Sequence, residues 1–269
     1  MVFRMAIVAA GVVLGSGGVV AHAADLLARH GVYDSYTPAP VTRHTAWYVR
    51  GDAGYALQDE PEVREAGAYD LDHAALDNTW TLGLGIGRYF TPNLRGDITW
   101  DYRFESDVRG FTLDGPYPGD RRFSLASNVI LANIYYDFRR DGHITPYIGA
   151  GIGAARHASH AGEIIPTPCG CAADIEDGNT WSFAAALMAG VSINLGRDSG
   201  YWGSVKDAPV AAAAPGRWHL DAGYRFLYLG DAHTGPVTAS TGPGPVIGGD
   251  KVKDIAAHEL RLGLRYDIR

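Results

Sequence analysis

Four side chains that bind soft metals stand close together in one stretch of this chain: His157, His160, Cys169 and Cys171. Two imidazoles and two thiolates make a chemically complete zinc set, but their spacing matches no standard zinc framework, and export tends to oxidise thiols. One glycine separates the two cysteines, so a bridge between them would close a very small ring; the spacing leaves open both a local clip and two free thiols. Ser159 lies between His157 and His160, and His258 adjoins Glu259, which are the residue types of a nucleophile, a base and an orienting acid. Neither arrangement carries a nucleophile elbow. Gly83-Leu84-Gly85-Ile86-Gly87 and Gly149-Ala150-Gly151-Ile152-Gly153 place glycine at strict period two, whereas a dinucleotide fingerprint needs a different spacing and a following helix. They read as strand faces stripped of side chains, making room for interior Arg groups. The acidic run Asp59, Glu60, Glu62, Glu65, Asp70, Asp72 and Asp77 could offer oxygen ligands to a divalent cation, but such loops are usually solvated surface. No catalytic, cofactor-binding or metal-binding residue is assigned, and the expectation is a protein that is not an enzyme.

The elements that would position these residues are legible as period-two alternation recurring along the chain. Trp47, Val49, Ala53, Tyr55 and Leu57 oppose Tyr48, Arg50 and Asp52. Between Trp80 and Phe90, Trp80, Leu82, Leu84 and Ile86 oppose Thr81, Gly83, Gly85 and Gly87. After the turn Thr91-Pro92-Asn93, Leu94, Ile98, Trp100, Tyr102 and Phe104 alternate with Arg95, Asp97, Thr99, Asp101 and Arg103. The same pattern returns in Asn128 to Phe138, Thr145 to Ala155, Phe183 to Leu195, Trp218 to Leu229 and His258 to Ile268. In each, one face is apolar with Trp or Tyr near the ends, and the other combines glycine with polar or charged residues.

Rings at strand ends and a face that excludes charge are what a lipid-facing wall requires. Open strand edges in hydrocarbon would leave backbone groups unpaired, so the wall must close. The fold class expected is all-β: an eight-stranded antiparallel transmembrane β-barrel with long external loops. A continuous belt containing Leu82, Ile98, Trp100, Ile134, Leu187 and Leu262 should face outward. The interior would hold Arg50, Arg95, Arg103, Arg225, Arg261 and Arg265 against Asp52, Asp97, Asp101, Asp137, Asp221, Glu259 and Asp267. Such charges must pair or stay hydrated, which favours a braced polar plug over a wide pore.

The ends and the composition agree with export to a membrane. Met1–Arg4 carries a cation, Met5–Val20 is apolar or small, and Ala21-His22-Ala23 supplies a cleavage site, so residues 1–23 read as a signal peptide cut after Ala23 or Ala24. Residues 24–46 read as a periplasmic tail and 47–269 as the barrel. The chain holds 35 Gly, 15 Tyr, 6 Trp and 8 Phe against 23 Lys plus Arg, a composition suited to barrel strands, and its net charge of -7 gives no support to a nucleic-acid partner. The links Gln58 to Thr79, Glu105 to Ser127, Arg156 to Ser182 and Gly230 to Ala257 are long and would be external, while the intervening turns are short and periplasmic. Gly196 to Arg217 breaks that rule, being long where a short turn is expected.

Four stretches carry a resemblance: Trp47-Tyr48-Val49-Arg50-Gly51-Asp52-Ala53-Gly54-Tyr55, Asn133-Ile134-Tyr135-Tyr136-Asp137-Phe138, Thr145 to Gly153, and His258 to Tyr266. They resemble the 25 and 31 kilodalton outer-membrane proteins of alphaproteobacteria, within the OmpA-like and opacity-type small barrels, over most of the chain from Trp47 onward. The resemblance implies a structural outer-membrane barrel that supports envelope integrity and surface interaction through its external loops. Its partners would be outer-membrane lipid and lipopolysaccharide, the outer-membrane assembly machinery, and a host or surface ligand held by the loops. Alternatives are a narrow porin-like channel, an adhesin and a lipid-modifying outer-membrane enzyme. Family barrels usually end in an aromatic residue, whereas this chain ends Tyr266-Asp267-Ile268-Arg269, which either puts the recognition signal on Tyr266 and Ile268 or makes insertion less efficient.

Overall fold

The computed structural model describes residues 47–65, 69–138, 143–166, 172–195, 217–240 and 244–268. The expected signal peptide, the tail, Cys169, Cys171 and the Gly196 insertion therefore lie outside the described residues. Within them are thirteen strands and no helix: β1 (Trp47–Gln58), β2 (Glu62–Glu65), β3 (Tyr69–Asp70), β4 (Asp72–Leu76), β5 (Thr79–Tyr89), β6 (Leu94–Thr112), β7 (Gly119–Asp137), β8 (Ile144–Pro166), β9 (Ala173–Ile175), β10 (Gly178–Asn194), β11 (Arg217–His233), β12 (Val237–Ala239) and β13 (Lys251–Ile268). Eight of them form a closed antiparallel ring in the order β1-β5-β6-β7-β8-β10-β11-β13, and β13 pairs back onto β1 from Trp47↔Ile268 to Gln58↔Ala257. The count of eight holds across the Gly196 insertion, because β10 and β11 are direct ladder neighbours.

The short turn after β5 is built by its sequence. The Phe90 and Thr91 amides donate to the Leu94 carbonyl, and the Leu94 amide donates to Thr91 Oγ1 at 3.0 Å. Asn93 Nδ2 reaches across to the Asp137 carbonyl at 2.7 Å, tying the turn to the end of β7. This end of the ring carries the short turn after β5, beside the ladder pair Trp47↔Ile268, and short turns mark the periplasmic end of such barrels.

At the other end the strands run on. β6 and β7 each have 19 residues and β8 has 23, whereas about 9 to 11 suffice to cross a membrane. Much of what the sequence presents as long external loops is thus strand continued beyond the membrane. The reason it escapes a simple alternation count is that the polarity inverts. On the membrane part of β6, Ile98, Trp100 and Phe104 point outward and Asp97, Asp101 and Arg103 inward. A register shift between Arg103 and Ser106 follows. Beyond it the outward residues are Asp107 and Arg109, and the inward one is Val108. The same inversion places Phe123, Leu125, Ile164, Leu227, Leu229, Val252 and Ile255 in an apolar core above the membrane. Short strands complete that core as a cap: β2 pairs β13, β4 pairs β6, and β9 joins β8 to β12, bringing in Val63, Leu71, Leu76, Ile175 and Val237.

The apolar belt faces outward as the alternation requires, with Leu82, Ile98, Trp100, Ile134, Leu187 and Leu262 all exposed around the ring. Leu84 is 62% exposed at the middle of β5 and Leu113 is 69% exposed at the tip of the β6–β7 hairpin, so equal exposure here has two different solvents. A Leu84→Arg change should lower the stability of the vesicle-inserted protein by about 2–4 kcal/mol, whereas Leu113→Arg should move it by less than about 0.5 kcal/mol. Urea unfolding from phospholipid vesicles checks this; equal sensitivity at the two sites would contradict the membrane boundary drawn here.

Candidate functional site

All thirteen charged residues expected in the interior lie there: eight form one ion-paired network, and the Arg95–Asp137 pair and the Arg265–Asp221–Asp267 group join it through Tyr48. Alternation on β1, β6, β7, β11 and β13 aims them at the axis. Toward the outer end, Glu259 receives Arg103 and also the Nε of Arg225 at 2.6 Å. Arg225 Nη1 donates to Asp101 Oδ2 at 2.8 Å, and Arg261 Nη2 donates to Asp101 Oδ1 at 2.6 Å while also pairing with Asp52. Arg50 joins this layer to the next, donating to Asp52 at 3.2 Å and to Asp97 at 3.3 Å. Asp97 also accepts from the Tyr48 hydroxyl at 3.0 Å and from Asn133 Nδ2 at 2.8 Å.

Toward the periplasm the cations are held by rings as well as by acids. Arg95 donates to Asp137 at 3.2 Å, and its guanidinium carbon lies 4.1 Å from the Tyr135 ring centre, 5.1 Å from that of Tyr147 and 5.8 Å from that of Tyr48. Arg265 reaches Ser192 Oγ at 2.8 Å and lies 3.5 Å from Asp221, while His219 meets Asp267 at 3.2 Å. Three faces of aromatic quadrupole plus one carboxylate stabilise a guanidinium that water no longer reaches.

The period-two glycines are the counterpart of this crowding. A Cβ at Gly83 would fall 2.7 Å from Arg261 Nη2 and 2.9 Å from Asp52 Oδ1, and one at Gly223 would fall 2.6 Å from the Tyr147 hydroxyl. The glycine faces thus make room for acids and tyrosines as well as for arginines. The packing leaves a cavity of about 20 Å³, bordered by Arg50, Asp52, Tyr135, Asp221 and Arg261, which holds about one water molecule. The interior is also lopsided. The β7, β8 and β10 side presents Val129, Leu131, Ala155, Ala184 and Ala186, through which the apolar core of the cap continues down into the barrel. Patterning alone did not show this, because the inward Val129 and Leu131 lie next to the outward Ile130 and Ala132 in an unbroken apolar run.

The residues that could have formed a hydrolytic or metal centre are not brought together. His157 is buried and is satisfied by Ser127 Oγ at 2.7 Å on Nδ1, and by Ser182 Oγ and the Leu229 carbonyl at 3.0 Å on Nε2. Ser159 donates instead to the carbonyls of Gly178 and His233 at 3.3 Å. His160 points to the other face, 3.5 Å from Glu105. His258 and Glu259 likewise part company, the first stacking outward on Tyr224 and the second turning into the lumen. Among the described residues no three His, Cys, Asp or Glu side chains form a metal-holding group.

One residue of the acidic run departs from its expected place on the surface. Glu65 is buried in the cap, where Arg121 lies between it and Asp250: 3.0 Å from Glu65 Oε2 and 2.8 Å from Asp250 Oδ1. The Thr234 hydroxyl accepts from the Asp250 amide at 2.8 Å. This clasp fastens the first external link to the last one through β7. Two carboxylates share one cation, so burial pushes the carboxyl groups of both Glu65 and Asp250 above their ordinary range, Arg121 only partly offsetting it.

A closed ring with charges inside, an apolar belt outside and aromatic side chains at both rims defines an integral β-barrel of the bacterial outer membrane. The chain belongs to the family of an uncharacterized protein of Brucella abortus, with which it is 31% identical over 288 residues, spanning 93% of each chain. A Brucella suis protein matches to the same extent. A Rickettsia bellii protein named as a candidate adhesin is 25% identical over 231 residues, covering 83% of this chain and 88% of that one. Among solved structures, the OprG outer-membrane protein of Pseudomonas aeruginosa aligns at a TM-score of 0.46 and 13% identity over 82% of this chain and 95% of its own. Neisserial surface protein A aligns at 0.40 and 20% identity over 81% and 95%. No family model matches the chain.

Removing the cation of the clasp isolates two buried carboxylates. Arg121→Met should cost about 3–5 kcal/mol locally. It should expose the cap to limited proteolysis while the barrel keeps its heat-modifiable gel mobility; an unchanged digestion pattern would show that the clasp does not hold the cap. The acids' folded pKa values lie above their unfolded ones, so the cap binds protons more tightly when folded. Its stability is greatest below the unfolded carboxylate pKa of about 4 and falls as pH rises through the raised values. Hydrogen-exchange protection of residues 62–65 and 250–253, corrected for intrinsic rates, should therefore decline from mildly acidic to neutral pH. A rise over that interval would refute the assignment.

Proposed function

We propose that the protein is a non-conducting structural barrel of the envelope that carries a folded platform for surface interaction. The observation that carries this reading is the doubly filled interior: a paired charge network within the membrane and an aliphatic core above it, with room for about one water between the charged groups. A porin-like path would have to break both, and the two are held by different physics, so loosening the charges leaves the apolar layer intact. The resemblance to the 25 and 31 kilodalton barrels belongs to this reading, as do lipid, lipopolysaccharide and the assembly machinery as its partners. The last strand presents Tyr266, its ring tilted against that of Trp218 with centres 4.8 Å apart, as its aromatic signal.

An adhesin is the second reading. It is supported by the name of the Rickettsia relative and by the strands that fix the cap, on which Asp59, Glu60, Glu62, Asp70, Asp72 and Asp77 remain exposed. Deletions in Gln58 to Thr79 that abolish adhesion while the barrel folds would favour it.

In planar bilayers the protein should show no stable single-channel conductance, and Asp101→Ala should leave it closed because the cap core still blocks the axis. Stable conductance of the unmodified protein that Asp101→Ala or Arg103→Ala abolishes would overturn the plugged-barrel reading.

A further inference from the structure

The outward face of the described wall is aliphatic, aromatic or small between its rims, and the arginine and histidine side chains on it stand at the rims. At the outer rim these groups have protein partners. Arg156 donates to Asn179 Oδ1 at 3.1 Å, and His258 meets Tyr224 and lies 3.4 Å from Asp59. Arg88 at the periplasmic rim differs. It follows Leu82, Leu84 and Ile86 in the outward phase of β5 and is half-buried. Its guanidinium carbon lies 5.5 Å from the Trp47 ring centre and 5.9 Å from that of Phe90. Its Nε is buried with no hydrogen-bond partner, and no carboxylate among the described residues pairs with it.

The slot that holds it is made by the wall itself. Trp47 is its ladder partner on β1 and Gly96 its partner on β6. A Cβ at Gly96 would sit 2.9 Å from the Phe90 ring, so the missing side chain lets Phe90 lie against the wall beside the arginine. Two rings flank the cation, which is half-buried on the outward face, so the wall does not fully enclose its donor fork. A guanidinium at the edge of hydrocarbon without a counter-charge is costly, and a planar fork of N–H donors matches a phosphate bidentately. Trp and Phe at the rim set the depth of the slot at the headgroup level of the periplasmic leaflet.

We propose that Arg88, Trp47 and Phe90 form a binding site for the phosphate of a glycerophospholipid in the periplasmic leaflet. Phospholipid is the occupant, rather than free phosphate, because the slot adjoins the lipid-facing belt at the ladder pair Ile86↔Ile98, both exposed.

The test uses the full mature protein in an uncharged, phosphate-free detergent, with native mass spectrometry counting bound phosphatidylglycerol and, separately, diacylglycerol. Phosphatidylglycerol should be retained and diacylglycerol not; equal retention of the two overturns a phosphate site without need of any variant. Arg88→Gln should weaken phosphatidylglycerol retention about tenfold or more, the loss of a charge-assisted hydrogen bond, while Arg156→Gln changes it little. Heat-modifiable mobility verifies that each variant is folded. Retention by Arg88→Gln equal to the unmodified protein overturns the proposal. Displacement of the lipid by inorganic phosphate at concentrations comparable to the lipid identifies a free-anion site and overturns the phospholipid assignment.

Discussion

Hydrocarbon offers nothing to which a backbone amide, a carbonyl or a charge can bond, and most of this structure follows from that. Every strand edge in the membrane has to find another strand, which is why β13 returns to β1 and the ladder closes without a gap from Trp47 to Gln58. Every charge between the two rims of the wall has to leave the outer surface, and alternation gives it one other place to go. The lumen is therefore where the chain's arginines and acids collect, and their crowding requires the glycines that face them.

The inversion of polarity along single strands shows the same rule from the other side. β6, β11 and β13 pass from lipid to water without ending, and the side chains they turn inward change from charged to aliphatic as they do so. Outside the membrane the protein obeys the ordinary rule of soluble sheets, with Val108, Phe123 and Leu229 inside and Asp107, Arg109 and Arg122 outside. Register shifts lie at or above the outer rim, at Arg103/Ser106, Arg122/Ser124 and Tyr228/Gly230. They let a strand bend and twist where its solvent changes.

The two fillings have different consequences. A buried ion network is held together only while every member keeps its partner, so the lumen tolerates rearrangement poorly and specifies one arrangement of strands. The aliphatic core of the cap gains by burial alone and needs only volume and shape. The Arg121 clasp is the exception inside the cap, a charged tie between distant links in an otherwise apolar layer, and it makes the cap sensitive to pH in a way the rest of that layer is not.

How much of this was legible beforehand depended on period. Strict alternation with rings at the ends marked the membrane strands, and it correctly assigned all thirteen lumen charges and the outward belt, because a two-residue repeat leaves a side chain only two directions. Alternation could not say which arginine meets which acid, since Arg225 and Asp101 are 124 residues apart and meet only through ring closure. It also missed the cap. A register shift breaks the repeat at the rim, the phase of polarity flips beyond it, and Glu65 looks like any other acid in an acidic run until Arg121 and Asp250 surround it. The sequence by itself determined the barrel, its inside-out polarity and its strand count, because the solvent acts on each side chain separately. Tertiary structure decided the pairing of the lumen, the filling of the outer end and the seating of Arg88 between Trp47 and Phe90, because those depend on which strands become neighbours.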